Sequence, residues 1–103
     1  IDRWDHFRMR MLAFMNNFDL IIAPANAYQA VPHGTSEDKI YGFSYTMTYN
    51  LTGWPAAVVR VGTAEDGLPI GIQVVCKPWR EDVALAAATQ LQNTFGGWQK
   101  PPI

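Results

Sequence analysis

The sequence predicts an α/β fold with the element order αβ-α-ββα, and three observations predict it. A stripe of apolar residues at helical spacing opens the chain. A short unbroken apolar run follows, closed by proline. Two β-branched runs are joined by an Asp-Gly turn and followed by an Ala-rich stretch.

The first helix is read from Trp4, Phe7, Met11, Phe14 and Phe18, which recur every three or four residues and so share one side of a helix of roughly four turns. Asp2 and Asp5 suit its positive N-terminal end, and Asn16-Asn17 supply the stop. Such a stripe is expected to be core packing. Asp19-Leu20-Ile21-Ile22-Ala23-Pro24 reads as a strand buried on both faces and central in its sheet. Residues 25–39 are polar and aperiodic, a loop of a length that is usually functional or shaped by neighbouring structure, and His33 within it is expected to be solvated. Tyr41 to Leu51 is expected to be helical, because Gly53 just past its end and Pro55 after it form a helix stop. Its aromatic residues nevertheless alternate with a period close to two, so a strand is the competing reading. Ala56–Gly62 and Ile70–Cys76 should pair as an antiparallel hairpin around Asp66-Gly67. Glu81-Asp82 then open a last helix that Gly96-Gly97 end. Three strands with this much apolar surface call for more sheet, so chain outside residues 1–103 is expected to complete it.

Composition narrows the class. Hydrophobic residues make up 49% and charged residues 17%, which is charge-poor for a soluble domain, and the scattered charges sum to −1. No basic face exists for nucleic acid or an acidic membrane. The one cysteine, Cys76, and two distant histidines, His6 and His33, give no metal-ligand spacing, so no metal and no cofactor are expected. Residues 1–18 lack the unbroken apolar core of a signal peptide, and no apolar stretch approaches the ~18 residues of a membrane span. The expectation is an intracellular, cytoplasmic protein. The opening Ile1-Asp2-Arg3-Trp4 falls mid-pattern, as in a segment of a longer chain.

Amide or ester hydrolysis needs a nucleophile, a base in reach and donors for an oxyanion. Ser36 and Ser44 are the only serines, and neither sits in a glycine-flanked elbow. Cys76 ends an apolar strand and reads as a small hydrophobe. Lys39, Lys77 and Lys100 are isolated, and no phosphate-binding glycine loop occurs. The aromatic cluster Tyr41, Phe43, Tyr45, Tyr49 and Trp54, with Trp79, stands out as pocket lining or as packing between helix and hairpin.

Three stretches in order, Ser44-Tyr45-Thr46-Met47-Thr48-Tyr49-Asn50-Leu51-Thr52-Gly53-Trp54-Pro55-Ala56-Ala57-Val58-Val59, then Gly67-Leu68-Pro69-Ile70-Gly71-Ile72-Gln73-Val74-Val75, then Pro78-Trp79 with Glu81-Asp82 and Leu85, resemble the C-terminal end of the amidase signature family. Asp19–Pro24 is similar to the aspartate-led strand that precedes this region. The closest likeness is to the fatty acid amide hydrolase branch, with Arg60 standing where the family more often has proline. The resemblance implies the C-terminal part of a large mixed β-sheet covered by helices. It also implies an enzyme that cleaves carboxylic amides with a Ser-Ser-Lys site. Those motifs are absent from residues 1–103, and neither Lys39 nor Ser44 matches them.

On this reading the segment completes the sheet and lines the acyl-binding channel, with Thr46, Tyr49 and Trp79 as the expected substrate contacts. The expected partners are the N-terminal remainder of the amidase and a small-molecule amide, with no nucleic acid. Two alternatives stay open: a small non-catalytic domain that binds a partner through its aromatic surface, and a homo-oligomer formed by pairing of exposed strand edges.

Overall fold

The computed structural model describes all 103 residues. Helix α1 spans Asp2–Phe14 and tightens into a 3-10 turn at Met15–Asn17. Strand β1, Leu20–Pro24, is followed by a loop and a 3-10 segment, Glu37–Phe43, that leads into α2, Ser44–Thr52. The hairpin strands β2, Ala56–Thr63, and β3, Pro69–Cys76, precede α3, Glu81–Phe95. The expected order αβ-α-ββα is the observed one. No helix is long and apolar enough to cross a membrane.

The three strands form one antiparallel sheet in the order β1-β3-β2. Leu20 pairs with Cys76 and Pro24 with Ile72 on one side of β3, while Ala57 pairs with Val74 on the other. The hairpin turn forms at Asp66-Gly67 as expected: Gly67 has φ 86°, and the Asp66 carboxylate accepts the Leu68 amide at 3.2 Å. Side chains alternate across the sheet, so β3 supplies two cores. Val74 and Cys76 pack on Ala84 of α3, bordered by Leu20, Ala57 and Leu91. Val75 faces the other way and packs with Met15 and Trp54, bordered by Met11, Ile21 and Tyr49.

Two expectations change. β1 is an edge strand rather than the central one, because β3 is the strand with neighbours on both sides and nothing pairs with the outer edge of β1; Ile22, on the α3 face, is 54% exposed because α3 lies over β2 and β3. The aromatic stripe of α1 is also largely uncovered. Trp4, Phe14 and Phe18 are exposed, and Met15, just beyond the helix, is the residue that enters the core. α1 is fastened through Met11, Met15 and a hydrogen bond from the Trp4 indole to the Leu51 carbonyl, which leaves the Phe14 side of the stripe with nothing above it.

The helix expected from Tyr41 starts as an α-helix at Ser44, and Tyr41–Phe43 belong to the 3-10 segment. Here Gly42 is buried, and its carbonyl accepts the Ala27 amide at 3.0 Å. A Cβ at Gly42 would lie 2.8 Å from the Asn26 Oδ1 and 2.9 Å from the Tyr28 ring, so any larger residue would push these side chains aside. The stop is as expected: Gly53 is left-handed at φ 72° and its amide bonds the Tyr49 carbonyl at 2.8 Å. Arg60 donates to the Gly97 carbonyl at 3.2 Å and to Thr63, tying the end of α3 to β2 near the bulge between Arg60 and Gly62.

Eleven of 103 residues are buried, and the radius of gyration is 15.4 Å where a compact chain of this length has about 13 Å. The molecule is a slab, 46 × 34 × 18 Å. Apolar surface lies open at its edges.

Nothing lies within 4 Å of a Cβ built on Gly53, so the substitution Gly53→Ala tests the backbone alone. It should cost about 1–2 kcal/mol, and Gly53→Asn less, against about 2–5 kcal/mol for Met15→Ala, read from denaturant midpoints. Equal costs for Gly53→Ala and Gly53→Asn would overturn the left-handed cap.

Candidate functional site

The C-terminal ends of α2 and β3 converge because the Cys76 amide donates to the Pro55 carbonyl at 3.1 Å. This sets residues 53–55 beside residues 77–80. Between them lies a shallow cavity of about 290 Å³, walled by Trp54, Pro55, Pro78 and Trp79, with Arg8 and Glu81 at its rim. Trp54 is buried and stacks on Tyr49 of α2, with ring centroids 6.5 Å apart and planes at 28°. The Arg8 guanidinium lies 6.0 Å from the Trp4 ring centre, which keeps a cation over this side of α1.

Trp79 is built differently. Lys77 to Arg80 form a turn closed by the Arg80 amide on the Lys77 carbonyl at 3.1 Å, with Pro78 second and Trp79 third at φ 66°. That is the pattern of a type II turn, whose third position normally takes Gly or Asn. A bulky side chain there strains the backbone, and this one is 88% exposed, so it gains little from packing in return. The strain presents an indole at the mouth of the cavity. Arg80 and Asp82 hold the start of α3 with a two-pronged ion pair at 3.0 and 3.3 Å. The mutual hydrogen bond keeps the Asp82 carboxyl below and the Arg80 guanidinium above their ordinary ranges.

Of the three expected contact residues, the structure brings two to one place. Trp79 lines the cavity, and Tyr49 backs it through Trp54. Burial pushes the Tyr49 phenol above its ordinary range. Thr46 lies one turn earlier on α2, outside the cavity wall, and its hydroxyl donates to the Phe43 carbonyl at 2.9 Å. Burial also raises the Cys76 thiol, against the lowering pull of Arg80, so it stays protonated at ordinary pH and is a poor nucleophile. No serine, lysine or histidine lines the cavity. The arrangement can hold an apolar or aromatic group; it contains no nucleophile and base to attack one.

Sequence reasoning passed over Gln73. It is 1% exposed on β3 and its Nε2 donates to the Pro24 carbonyl at 2.9 Å and the Tyr45 carbonyl at 2.7 Å. The signal was available: an amide inside an otherwise apolar strand must find partners or it costs stability.

Residues 2–85 match the Amidase family, and the chain belongs to it. Among relatives it is similar to human fatty-acid amide hydrolase 2, 30% identical over 97 residues, which are 94% of this chain and 18% of that protein. It is also similar to fatty-acid amide hydrolase 2-A of Danio rerio, 32% identical over 82 residues, 80% of this chain and 15% of that protein. In shape it superposes on 6-aminohexanoate cyclic dimer hydrolase with a TM-score of 0.81 at 24% identity, covering 98% of this chain and 25% of that one. The chain thus spans less than a fifth of the length of these curated relatives, and the α/β fold is that of the amidase signature enzymes.

Two outcomes follow from the site. Tyr49 should be the last tyrosine to ionise in an alkaline absorbance titration, and Tyr49→Phe should remove that late step. Its folded pKa is raised, so the stability it contributes is complete below the unfolded value of about 10 and is lost as pH climbs through the folded one. Trp79→Gly should leave the denaturation midpoint unchanged or raise stability by up to about 1 kcal/mol, because the released strain offsets the entropy of glycine. A clear loss of stability would refute the strained, unpacked reading of Trp79.

Proposed function

We propose that this chain is the C-terminal portion of an amidase that hydrolyses carboxylic amides at a Ser-Ser-Lys site supplied by chain outside residues 1–103. On this reading it completes the sheet and forms one wall of the acyl-binding channel. The observation that carries the proposal is the pairing of a family match over residues 2–85 with a cavity that has aromatic walls and no nucleophile. The open apolar edges around a core of only seven buried hydrophobic residues support a partner of the same domain, the N-terminal remainder. Trp79, held in a conformation that disfavours it, suits a contact with the acyl or amine side of a small amide, with Thr46 and Tyr49 further along α2. The similarity to fatty-acid amide hydrolase 2 favours an apolar acyl group.

A fluorophosphonate probe, which labels activated serines, tests this on the complete protein. The modified serine should lie outside residues 1–103, Ser36→Ala and Ser44→Ala should retain amide turnover, and the 103-residue chain alone should have none. Labelling of Ser36 or Ser44, or turnover by the isolated chain, would overturn the proposal.

A further inference from the structure

Helix α2 carries two of the three expected contact residues, yet it has no extended contact with any strand of the sheet. At its C-terminal end it is held by the Trp4 indole on the Leu51 carbonyl and by the stacking of Tyr49 on Trp54. At its N-terminal end the attachment to the sheet is Gln73. This side chain leaves the central strand on the Val75 face and spends both amide protons, one on the carbonyl of Pro24 where β1 ends, the other on the carbonyl of Tyr45 in the first turn of α2. Apolar residues flank it along the strand, and a valine or isoleucine would fill the position by pattern alone. Burying an amide there is favourable only because both protons are used. Aspartate or glutamate could not replace it while ionised, since a carboxylate has no proton to give and would face two carbonyl oxygens.

We propose that Gln73 is a positioning residue of the amidase. It fixes the first turn of α2 against the end of β1, and with it Thr46, the residue that follows the clamped Tyr45 carbonyl. The inference rests on the reading of this segment as an acyl-channel wall and goes beyond it by assigning the residue that sets where the wall stands. Loss of the clamp lets α2 shift at its N-terminal end. A long acyl group that runs along the wall then binds poorly, while a short one that does not reach it is unaffected.

The test compares wild type, Gln73→Met and Gln73→Glu in the complete enzyme, with the nitroanilides of acetic acid and of a long-chain fatty acid, and with active sites counted by fluorophosphonate titration. Gln73→Met keeps the volume and removes both donors. Its KM for the long-chain amide should rise on the order of tenfold with kcat per titrated site and the acetyl amide little changed. In Gln73→Glu the ionised carboxylate should give the same defect, and lowering the pH should bring KM back toward wild type as the protonated acid donates one hydrogen bond. Wild-type KM should show no such recovery.

An unchanged long-chain KM in both variants would overturn the proposal. So would a fall in activity that scales equally for both amides and disappears on counting active sites, which is the mark of a stability effect alone. If Gln73→Met does not fold, the pH profile of Gln73→Glu decides. If wild-type enzyme cleaves neither amide and takes no fluorophosphonate label, the amidase reading itself falls, and this proposal with it; an active wild type with indifferent variants removes only Gln73.

Discussion

Strand β3 is the constraint on which the rest of the chain depends. It alone has a strand on each side, and its alternating side chains feed both cores: Val74 and Cys76 toward α3, Gln73 and Val75 toward α1 and α2. Each covering element is therefore registered to the same eight residues. The ladder to β1 sets where Pro24 ends, the ladder to β2 sets where Pro55 enters, and the Cys76 amide joins that entry to the turn bearing Trp79. A slip of one residue in β3 would exchange its two faces, placing the Gln73 amide against the alanines of α3 and removing the donors from Pro24 and Tyr45. The polar residue thus helps make the register specific where its neighbours Ile72, Val74 and Val75 are similar β-branched hydrophobes.

The two faces are unequal in how they are closed. α3 lies flat on β2 and β3, and its small residues Ala84 and Ala88 let it approach closely. The opposite face is covered by fewer and larger groups, Met15, Trp54 and Tyr49, with hydrogen bonds from Trp4 and Gln73 as its fasteners. Directional bonds do here what buried area does on the α3 side. This face is also the one that bears the cavity, so the part of the fold nearest the proposed chemistry depends on a handful of contacts that single substitutions can remove.

Much of this was legible in the sequence, and the misreadings share one cause. Element type, order, the Asp66-Gly67 turn and the Gly53 stop follow from local chemistry, which a sequence carries in full. Coverage does not follow from it. The Leu20–Ala23 run reads as doubly buried because its composition is that of a central strand, and the α1 stripe reads as core because its spacing is regular. Both are placed at edges, where no other element of the chain covers them. Of the candidate site, Trp79 and Tyr49 stood out in the sequence as aromatics, and they lie on either side of Trp54; Gln73 signalled only that a buried amide needs partners, while which carbonyls it reaches depends on the tertiary fold.

The alternation of Tyr41, Phe43, Tyr45, Met47 and Tyr49 conflicts with the helix it belongs to. Residues two apart on an α-helix point about 200° apart, so the alternation splits its members between two sides, Tyr41, Tyr45 and Tyr49 on one and Phe43 and Met47 on the other. The chain answers with a 3-10 segment up to Phe43 and an α-helix after it, and only Tyr49 is drawn inward while Tyr41, Phe43, Tyr45 and Met47 stay exposed. A helix that covered nothing but this sheet would need one apolar side; this helix has apolar groups on both. The proposed channel wall, with structure on each side, would use both, and it would give the aromatic density of residues 41–54 a physical reason that packing within this chain does not supply.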